Sequence, residues 1–120
     1  MNSNGFCLGI DTSNYTTSAA IVDGELNIIA DSRRVLEVKR GERGLRQSQA
    51  LFEHISNLPE VLEELFRMAE ETTGFDRRLI RAVAVSERPR PVEGSYMPVF
   101  KAGISHGRAI AKALGVPCFG

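Results

Sequence analysis

A long amphipathic pattern between about residues 47 and 72 limits the possible folds of this chain more than any other feature. Its apolar residues recur at spacings of three and four, as they do along one face of an α-helix: Leu51, Ile55, Leu58, Leu62, Leu65, Phe66 and Ala69. Pro59 lies inside the pattern and predicts a kink or a split in the helix. The chain is therefore expected to contain one long helix that is buried along one face.

Three short segments before this helix have the composition of β-strands: residues 6–10, 15–22 and 25 to about 34. In the third segment, Leu26, Ile28 and Ala30 are predicted to share one face. Asp23-Gly24 predicts a two-residue hairpin between the second and third strands. Tight connections of this kind indicate an antiparallel meander.

After the long helix, residues 80–85 are predicted to form a fourth strand, with Asp76 capping one turn before it. A second helix is expected from about residue 97 to 114, where Gly103 and Gly107 allow its backbone to approach the sheet closely. Gly115 is typical of a helix C-cap, and residues 116–119 predict a fifth strand. The order βββαβαβ favours an α/β fold of the ribonuclease-H-like class, with a mixed five-stranded sheet. This is the subdomain from which actin/Hsp70-like ATPases are built.

Composition indicates one compact domain of 120 residues with a formal net charge of zero. No apolar run approaches the roughly 20 residues that span a bilayer, and the N-terminus lacks a signal-peptide pattern, so a cytoplasmic protein without a membrane partner is expected. Cys7 and Cys118 lie in apolar stretches and are expected to be free thiols. Basic residues dominate positions 33–46, which is typical of a solvated loop or of an edge that meets a phosphate-bearing partner.

The first candidate site is the polar run that follows the first strand: Asp11, Thr12, Ser13 and Asn14. Small polar residues in such a turn present N–H groups and hydroxyls to phosphate, and a carboxylate can hold a metal–nucleotide complex through water. The same four residue types are also the commonest turn formers, so a purely structural turn is the alternative.

Several segments, taken in order, resemble the N-terminal half of the glycoprotease family, whose members synthesise threonylcarbamoyladenosine in tRNA. They are LGIDTS at residues 8–13, SAAIVD at 18–23, EHISNLPEV at 53–61, the strand at 80–86 and GRAIAKALGVP at 107–117. The resemblance covers nearly the whole chain. It implies a divergent paralogue in the actin/Hsp70-like (ASKHA) superfamily, with residues 1–120 forming a single N-terminal subdomain.

For the full-length protein, the resemblance implies an ATP-dependent enzyme, also known as O-sialoglycoprotein endopeptidase, with tRNA as a partner. The Asp11–Asn14 turn would be its first phosphate-side loop. A divalent metal, Fe or Zn, would be held by a His-x-x-x-His pair beyond Gly120, so that the chain ends before the metal motif and the second subdomain. The isolated chain is then expected to be inactive. It contains no HExxH zinc-protease motif.

The loop after the fourth strand departs from the family pattern. Members carry a Gly-Pro-Gly loop, whereas this chain has Arg88 and Arg90 around a proline, followed by Gly94 and Ser95. Two guanidinium groups here are expected to bind an anionic ligand, or the ancestral role of the loop has been lost. A solvated loop stiffened by proline is the plain structural alternative.

Two histidines occur, His54 and His106. His54 is expected at the helix surface or as a hydrogen-bonded interior residue, with a place lining the cleft as the functional alternative. The alternative function for the whole chain is a non-catalytic module that forms a homodimer or binds a family paralogue, as the inactive partner of the synthase does. A ribonuclease-H-like nuclease is disfavoured, since of the several carboxylates it needs only Asp11 follows a strand.

Overall fold

Five β-strands form one mixed sheet in which the first strand of the chain is central. The computed structural model describes residues 5–37, 47–87 and 98–120, and of Gln47 the backbone only. The strands are β1 (Phe6–Asp11), β2 (Thr16–Asp23), β3 (Ile28–Val35), β4 (Ile80–Val85) and β5 (Cys118–Phe119). Their spatial order is β3-β2-β1-β4-β5. β2 is antiparallel to both β1 and β3, and β4 is parallel to both β1 and β5. The predicted antiparallel meander and mixed five-stranded sheet are confirmed.

Two helices, α1 (Gln47–Glu70) and α2 (Phe100–Leu114), cover the same face of this sheet. α1 packs on β2 and β3, while α2 packs on β4 and β1. Alternate strand residues point into the core between sheet and helices, and among them Leu8, Ile21 and Val83 are fully buried. The predicted order βββαβαβ is confirmed, and the single turn predicted before β4 is a short 3-10 helix, Arg77–Leu79.

α1 is one continuous helix, so of the two alternatives predicted at Pro59, a kink or a split, the split is wrong and the kink stays a prediction. Pro59 is exposed, and the carbonyl of Ile55, which loses its intrahelical donor, belongs to a residue that is 44% exposed. Water can therefore replace the missing bond. The fully buried stripe is rotated from the predicted one and consists of Ala50, His54, Leu58, Val61, Leu65 and Ala69. In the described part of the chain, neither helix is long and apolar enough to cross a membrane.

The connection between β2 and β3 differs from the predicted two-residue hairpin. Four residues separate the strands, and the left-handed backbone conformation is at Leu26 (φ 67°) instead of at Gly24. Asp23 Oδ1 accepts hydrogen bonds from the backbone N–H groups of Glu25 and Asn27, both at 2.9 Å, and this wider loop is fixed by them. β3 consequently begins at Ile28, and Leu26 is 83% exposed. Of the three residues predicted to share a face, only Ala30 is buried.

Glycines in α2 allow close contact with the sheet, as predicted. A Cβ atom at Gly107 would collide with the Cγ1 of Val85, and one at Gly103 would lie 3.1 Å from Thr12 Oγ1. α2 begins at Phe100, three residues later than expected, and ends at Leu114. Gly115 follows it with a φ of 71°, which confirms the predicted C-cap. The predicted cap at Asp76 is confirmed as well, since its side chain accepts from the backbone N–H of Arg78.

The two cysteines are free and lie on opposite faces of the sheet. Cys118 pairs with the buried Val83 and packs against the core on the helix side. Cys7 pairs with Ala82, the neighbour of Val83, and therefore points to the other face. The sheet separates the two thiols, so they form no disulfide within one folded chain.

Candidate functional site

The turn between β1 and β2 lies at the carboxyl end of the central strand. Because β1 and β4 are parallel, their carboxyl ends meet at the same edge of the sheet. The pairing continues one residue past β4, where the backbone N–H of Ser86 donates to the carbonyl oxygen of Ile10 at 3.2 Å. Ser86 is thereby placed beside the predicted turn Asp11–Asn14.

Asp11 is an exposed carboxylate held by two donors. Its Oδ1 accepts from the backbone N–H of Ser13 and from the hydroxyl of Ser86, each at 2.8 Å. Partial burial by itself raises the pKa of Asp11, but the hydrogen bonds from Ser13 and Ser86 outweigh it, and the pKa lies below its ordinary value. Asp11 is therefore ionised near neutral pH, in an orientation set by Ser13 and Ser86.

Thr12 faces inward, unlike its neighbours in the turn, and is fully buried. Its hydroxyl donates to the carbonyl of Val99 at 2.8 Å and accepts from the backbone N–H of Gly103 at 3.1 Å. The side chain thus attaches the turn to the first turn of α2. Its hydroxyl has both a donor and an acceptor within the protein, so a role in phosphate binding stays a prediction that rests on its backbone.

Asn14 is attached to the third neighbouring element, α1. Its carbonyl oxygen lies 2.8 Å from Nε2 of His54, and Nδ1 of the same ring lies 2.7 Å from Thr17 Oγ1. His54 is fully buried, so the predicted hydrogen-bonded interior position is the one observed. The Asn14 side chain itself is exposed. Asp11, Thr12 and Asn14 are therefore attached to the residue after β4, to α2 and to α1 respectively.

The four predicted residues thus lie together but differ in exposure and in the contacts that they make. Asp11 and the side chains of Ser13 and Asn14 are at least partly accessible, and Thr12 is not. An ionised carboxylate beside two serine hydroxyls suits a hard cation bound directly or through water. It repels a bare phosphate. Phosphate would therefore bind here only together with a cation.

A shallow concavity of about 360 Å³ begins at Asp11 and extends over the sheet face that the helices leave uncovered. Gly9, Ala20 and Ala84, from three adjacent strands, form its floor. The hydroxyl- and charge-bearing residues on its border include Ser86 and Arg33. The concavity is continuous with the Asp11 site and gives a ligand there room on one side.

Ser86 and Thr17 were not predicted as site residues, although weak signals for both exist. Ser86 follows a strand predicted from the sequence, and a parallel pairing with β1 would place it next to Asp11. Thr17 belongs to the alternating series with Ala19 and Ile21 that faces the helices. The identities of their partners, Asp11 and His54, depend on the tertiary fold.

The predicted ligand loop, Arg88, Arg90, Gly94 and Ser95, lies outside the described residues, and its role stays a prediction. Among residues 5–37, 47–87 and 98–120 there is no group of three or more His, Cys, Asp or Glu side chains that could hold a metal ion. The divalent metal implied by the resemblance was expected beyond Gly120 and stays a prediction too. His106 Nδ1 hydrogen-bonds the carbonyl of Ala102 within α2, a contact that does not involve the Asp11–Asn14 turn.

Comparison with solved structures identifies the fold. YeaZ from Pseudomonas aeruginosa superimposes with a TM-score of 0.62 at 20% sequence identity, covering 95% of this chain and 42% of the YeaZ chain. An uncharacterised Pseudomonas aeruginosa protein with similarity to peptidase YeaZ superimposes with a TM-score of 0.63 at 19% identity, covering 96% of this chain and 42% of that one. The chain therefore spans less than half the length of either structure.

No family model matches the sequence, and no curated protein matches it either. The likeness is thus one of structure at low sequence identity, and it establishes the fold. The chain has an α/β, ribonuclease-H-like fold with a mixed five-stranded sheet, the architecture that it shares with YeaZ.

Proposed function

We propose that this chain is one lobe of a glycoprotease-like ASKHA protein and that its Asp11–Asn14 turn contacts the phosphates of ATP through a bound cation. The observation that carries the proposal is the ionised, exposed Asp11 at the carboxyl end of β1, oriented by Ser13 and Ser86. Ends of neighbouring parallel strands are where ligands of open α/β sheets bind.

A magnesium ion would sit between the Asp11 carboxylate and the phosphates. Mg²⁺ keeps several waters and is commonly bound by one or two carboxylates together with substrate phosphates. Such a contact supplies part of a nucleotide site, and the second lobe of the protein would supply the rest. Weak binding by the isolated chain, and no catalysis, follow from this division.

For the full-length protein, the proposed activity is that of the family which the sequence resembles. It is the ATP- and metal-dependent transfer of a threonylcarbamoyl group to tRNA. The likeness of the fold to YeaZ supports a protein of this type. Two of the segments that resemble the family, residues 8–13 and 107–117, contain the start of the Asp11–Asn14 turn and the second half of α2. Thr12 connects this turn to the start of α2.

Titration of the ¹⁵N-labelled chain with Mg·ATP, followed by NMR, tests the nucleotide contact. We expect amide shifts at residues 11–14 and at Ser86, with millimolar affinity, that require Mg²⁺ and disappear in Asp11→Asn. Asp31→Asn is the matched control, because Asp31 lies on the same concavity but belongs to β3. Absence of shifts at these amides in millimolar Mg·ATP, or shifts that survive Asp11→Asn, would contradict the proposal. Micromolar binding by calorimetry would contradict the need for a second lobe.

A second candidate function, a dimerisation module, is favoured by the outer surfaces of the two helices. α1 carries five glutamates and one arginine, whereas α2 carries three basic residues and no carboxylate. Phe52 and Ile55 on α1 are 68% and 44% exposed. A two-fold arrangement would place α1 of one copy against α2 of the other and pair these charges.

Sedimentation velocity over a range of concentrations tests this second candidate. We expect a dimer that dissociates in Phe52→Asp and at high salt, whereas Met68→Asp, a control on an exposed position further along α1, has a smaller effect. A monomer at the highest concentration reached would exclude a homodimer of this kind.

A further inference from the structure

His54 is a fully buried, titratable side chain at the junction of α1, β2 and the Asp11–Asn14 turn. It lies on the buried stripe of α1, where the residues on either side along the stripe, Ala50 and Leu58, are apolar. Both ring nitrogens have partners, the Asn14 carbonyl at 2.8 Å and the Thr17 hydroxyl at 2.7 Å. A histidine satisfied on both sides in an apolar layer holds its neighbours in one arrangement.

The partners determine where the ring carries its proton. A carbonyl oxygen only accepts, so Nε2 must be protonated and donate to Asn14. Nδ1 of the neutral ring then accepts from the Thr17 hydroxyl, whose oxygen in turn accepts from the side-chain amide of Asn57 at 3.3 Å. Burial lowers the pKa of His54, which agrees with a neutral ring, although the Asn14 carbonyl and the carboxylates of Asp11 and Glu53 act in the opposite direction.

We propose that His54, as the neutral tautomer protonated on Nε2, is the positioning residue of the Asp11–Asn14 turn. The first half of the turn is held by Asp11 and Thr12, through Ser86 and α2. In the second half, the contact with His54 is the one side-chain hydrogen bond to the Asn14 backbone among the described residues. His54 thereby sets where the exposed side of the turn lies relative to the Asp11 carboxylate.

The consequence for nucleotide rests on the proposed function, whereas the positioning itself does not. Ser13 on one side of Asn14 is held by its N–H bond to Asp11, and Tyr15 on the other side is held by the Leu36 N–H bond to its carbonyl. If Asn14 loses its bond to His54, the peptide between these two attachments is expected to move more, while Asp11 stays in place. The phosphate and the cation that it carries would then meet a turn that samples several conformations, and ordering that turn would weaken binding.

Two variants of His54, of which only one keeps a donor for the Asn14 carbonyl, distinguish positioning of the turn from simple packing in the core. In His54→Gln the side-chain amide reaches the place of Nε2 and keeps a donor for Asn14. In His54→Asn the shorter side chain reaches the place of Nδ1 and keeps the contact with Thr17 alone. Asn57→Ala is a further control, because it removes a donor to Thr17 and leaves the bond to Asn14 untouched.

The experiment measures ¹⁵N relaxation and amide hydrogen exchange at residues 13–15 without nucleotide, followed by the Mg·ATP titration. We expect faster local motion in His54→Asn and near wild-type behaviour in His54→Gln and Asn57→Ala. Mg·ATP affinity should fall about tenfold in His54→Asn and stay within about twofold in His54→Gln, the range that one hydrogen bond supports. Equal turn dynamics in the Gln and Asn variants would overturn the proposal.

A measurement on the unmodified chain protects the test against variants that fail to fold. Long-range ¹H–¹⁵N correlation of the His54 ring reports the tautomer directly, and protonation on Nδ1 alone would also overturn the proposal. If His54→Asn loosens the turn but the wild-type chain shows no shifts with Mg·ATP, the positioning role stands and the nucleotide function fails.

Discussion

Thr12 Oγ1 lies 3.1 Å from the backbone nitrogen of Gly103 and donates to the carbonyl of Val99, four residues before that glycine. The hydroxyl therefore bridges two groups that are one helical turn apart at the start of α2. Because Gly103 has no side chain, the turn and the helix approach closely enough for this contact. The site and the helix packing are consequently joined at one buried residue.

Replacing Thr12 by valine should lower the free energy of unfolding by about 1–2 kcal/mol, since the hydroxyl serves as both donor and acceptor in a fully buried place. Urea denaturation measures the change. Thr73→Val, at an exposed position in the loop after α1, is the control and should change stability by less than about 0.5 kcal/mol. Equal stability of Thr12→Val and the wild type would show that the bridge contributes nothing.

Gly107→Ala should destabilise the fold by about 1–3 kcal/mol, because its Cβ would overlap the Val85 side chain. The intrinsic helix preference for alanine, about 1 kcal/mol, opposes this loss. The substitution should therefore be less harmful in a Val85→Ala background, which a double-mutant cycle measures. Ser105→Ala, on the exposed side of the same helix, serves as a control that changes no sheet contact.

The stability of the chain should fall with acid in a way that depends on His54. Because burial lowers its pKa in the folded state, the unfolded chain binds a proton below about pH 6.5 that the folded chain does not. The contribution is complete above that pH and is lost as the pH falls towards the folded pKa; Asp11 and Glu53 limit the loss by attracting the proton. Urea unfolding between neutral and acid pH measures it. His54→Gln should flatten this part of the profile, and an unchanged slope in that variant would assign the acid sensitivity to other groups.

Ser86→Ala should raise the pKa of Asp11 towards its ordinary value, because a donor to the ionised carboxylate is removed. Titration of the carboxyl carbon by NMR measures the shift. Ser18→Ala is the control, since Ser18 lies directly opposite Asp11 in β2 and no bond joins their side chains in the described structure. The same shift in both variants would mean that general desolvation, and not the Ser86 hydroxyl, sets the pKa.

Periodicity in the sequence predicted most of the elements because burial alone dictates them. β4 has the bounds expected of it, and the two helices cover the predicted segments to within a few residues. The buried face of the long helix differs from the predicted one: the sequence places Ile55 inside and allows His54 either at the surface or inside, whereas Ile55 is 44% exposed and His54 is buried. An isolated helical wheel favours the apolar residue, whereas the fold supplies Asn14 and Thr17 as partners that make the histidine the better buried one.

The prediction of the hairpin was wrong, and the prediction of the site was incomplete, for a related reason. Asp23-Gly24 is a strong hairpin signal, but the Asp23 side chain binds two backbone N–H groups further on and selects a wider loop. The turn Asp11–Asn14 was identified by residue type alone. Its division into an exposed carboxylate and a buried threonine depends on contacts with Ser86, Val99 and Gly103, which come from distant parts of the sequence.

The central place of β1 in the sheet also favours one order of folding. β1 pairs on one edge with β2, which is close in sequence. Its other edge pairs with β4, which follows β3 and the whole of α1 in the chain. Contacts between residues far apart in sequence close large loops and form slowly. The meander is thus expected to assemble first and to expose the free edge of β1 until β4 docks. The Asp11 carboxylate is then expected to receive its Ser86 partner only when β4 docks, after the meander has formed.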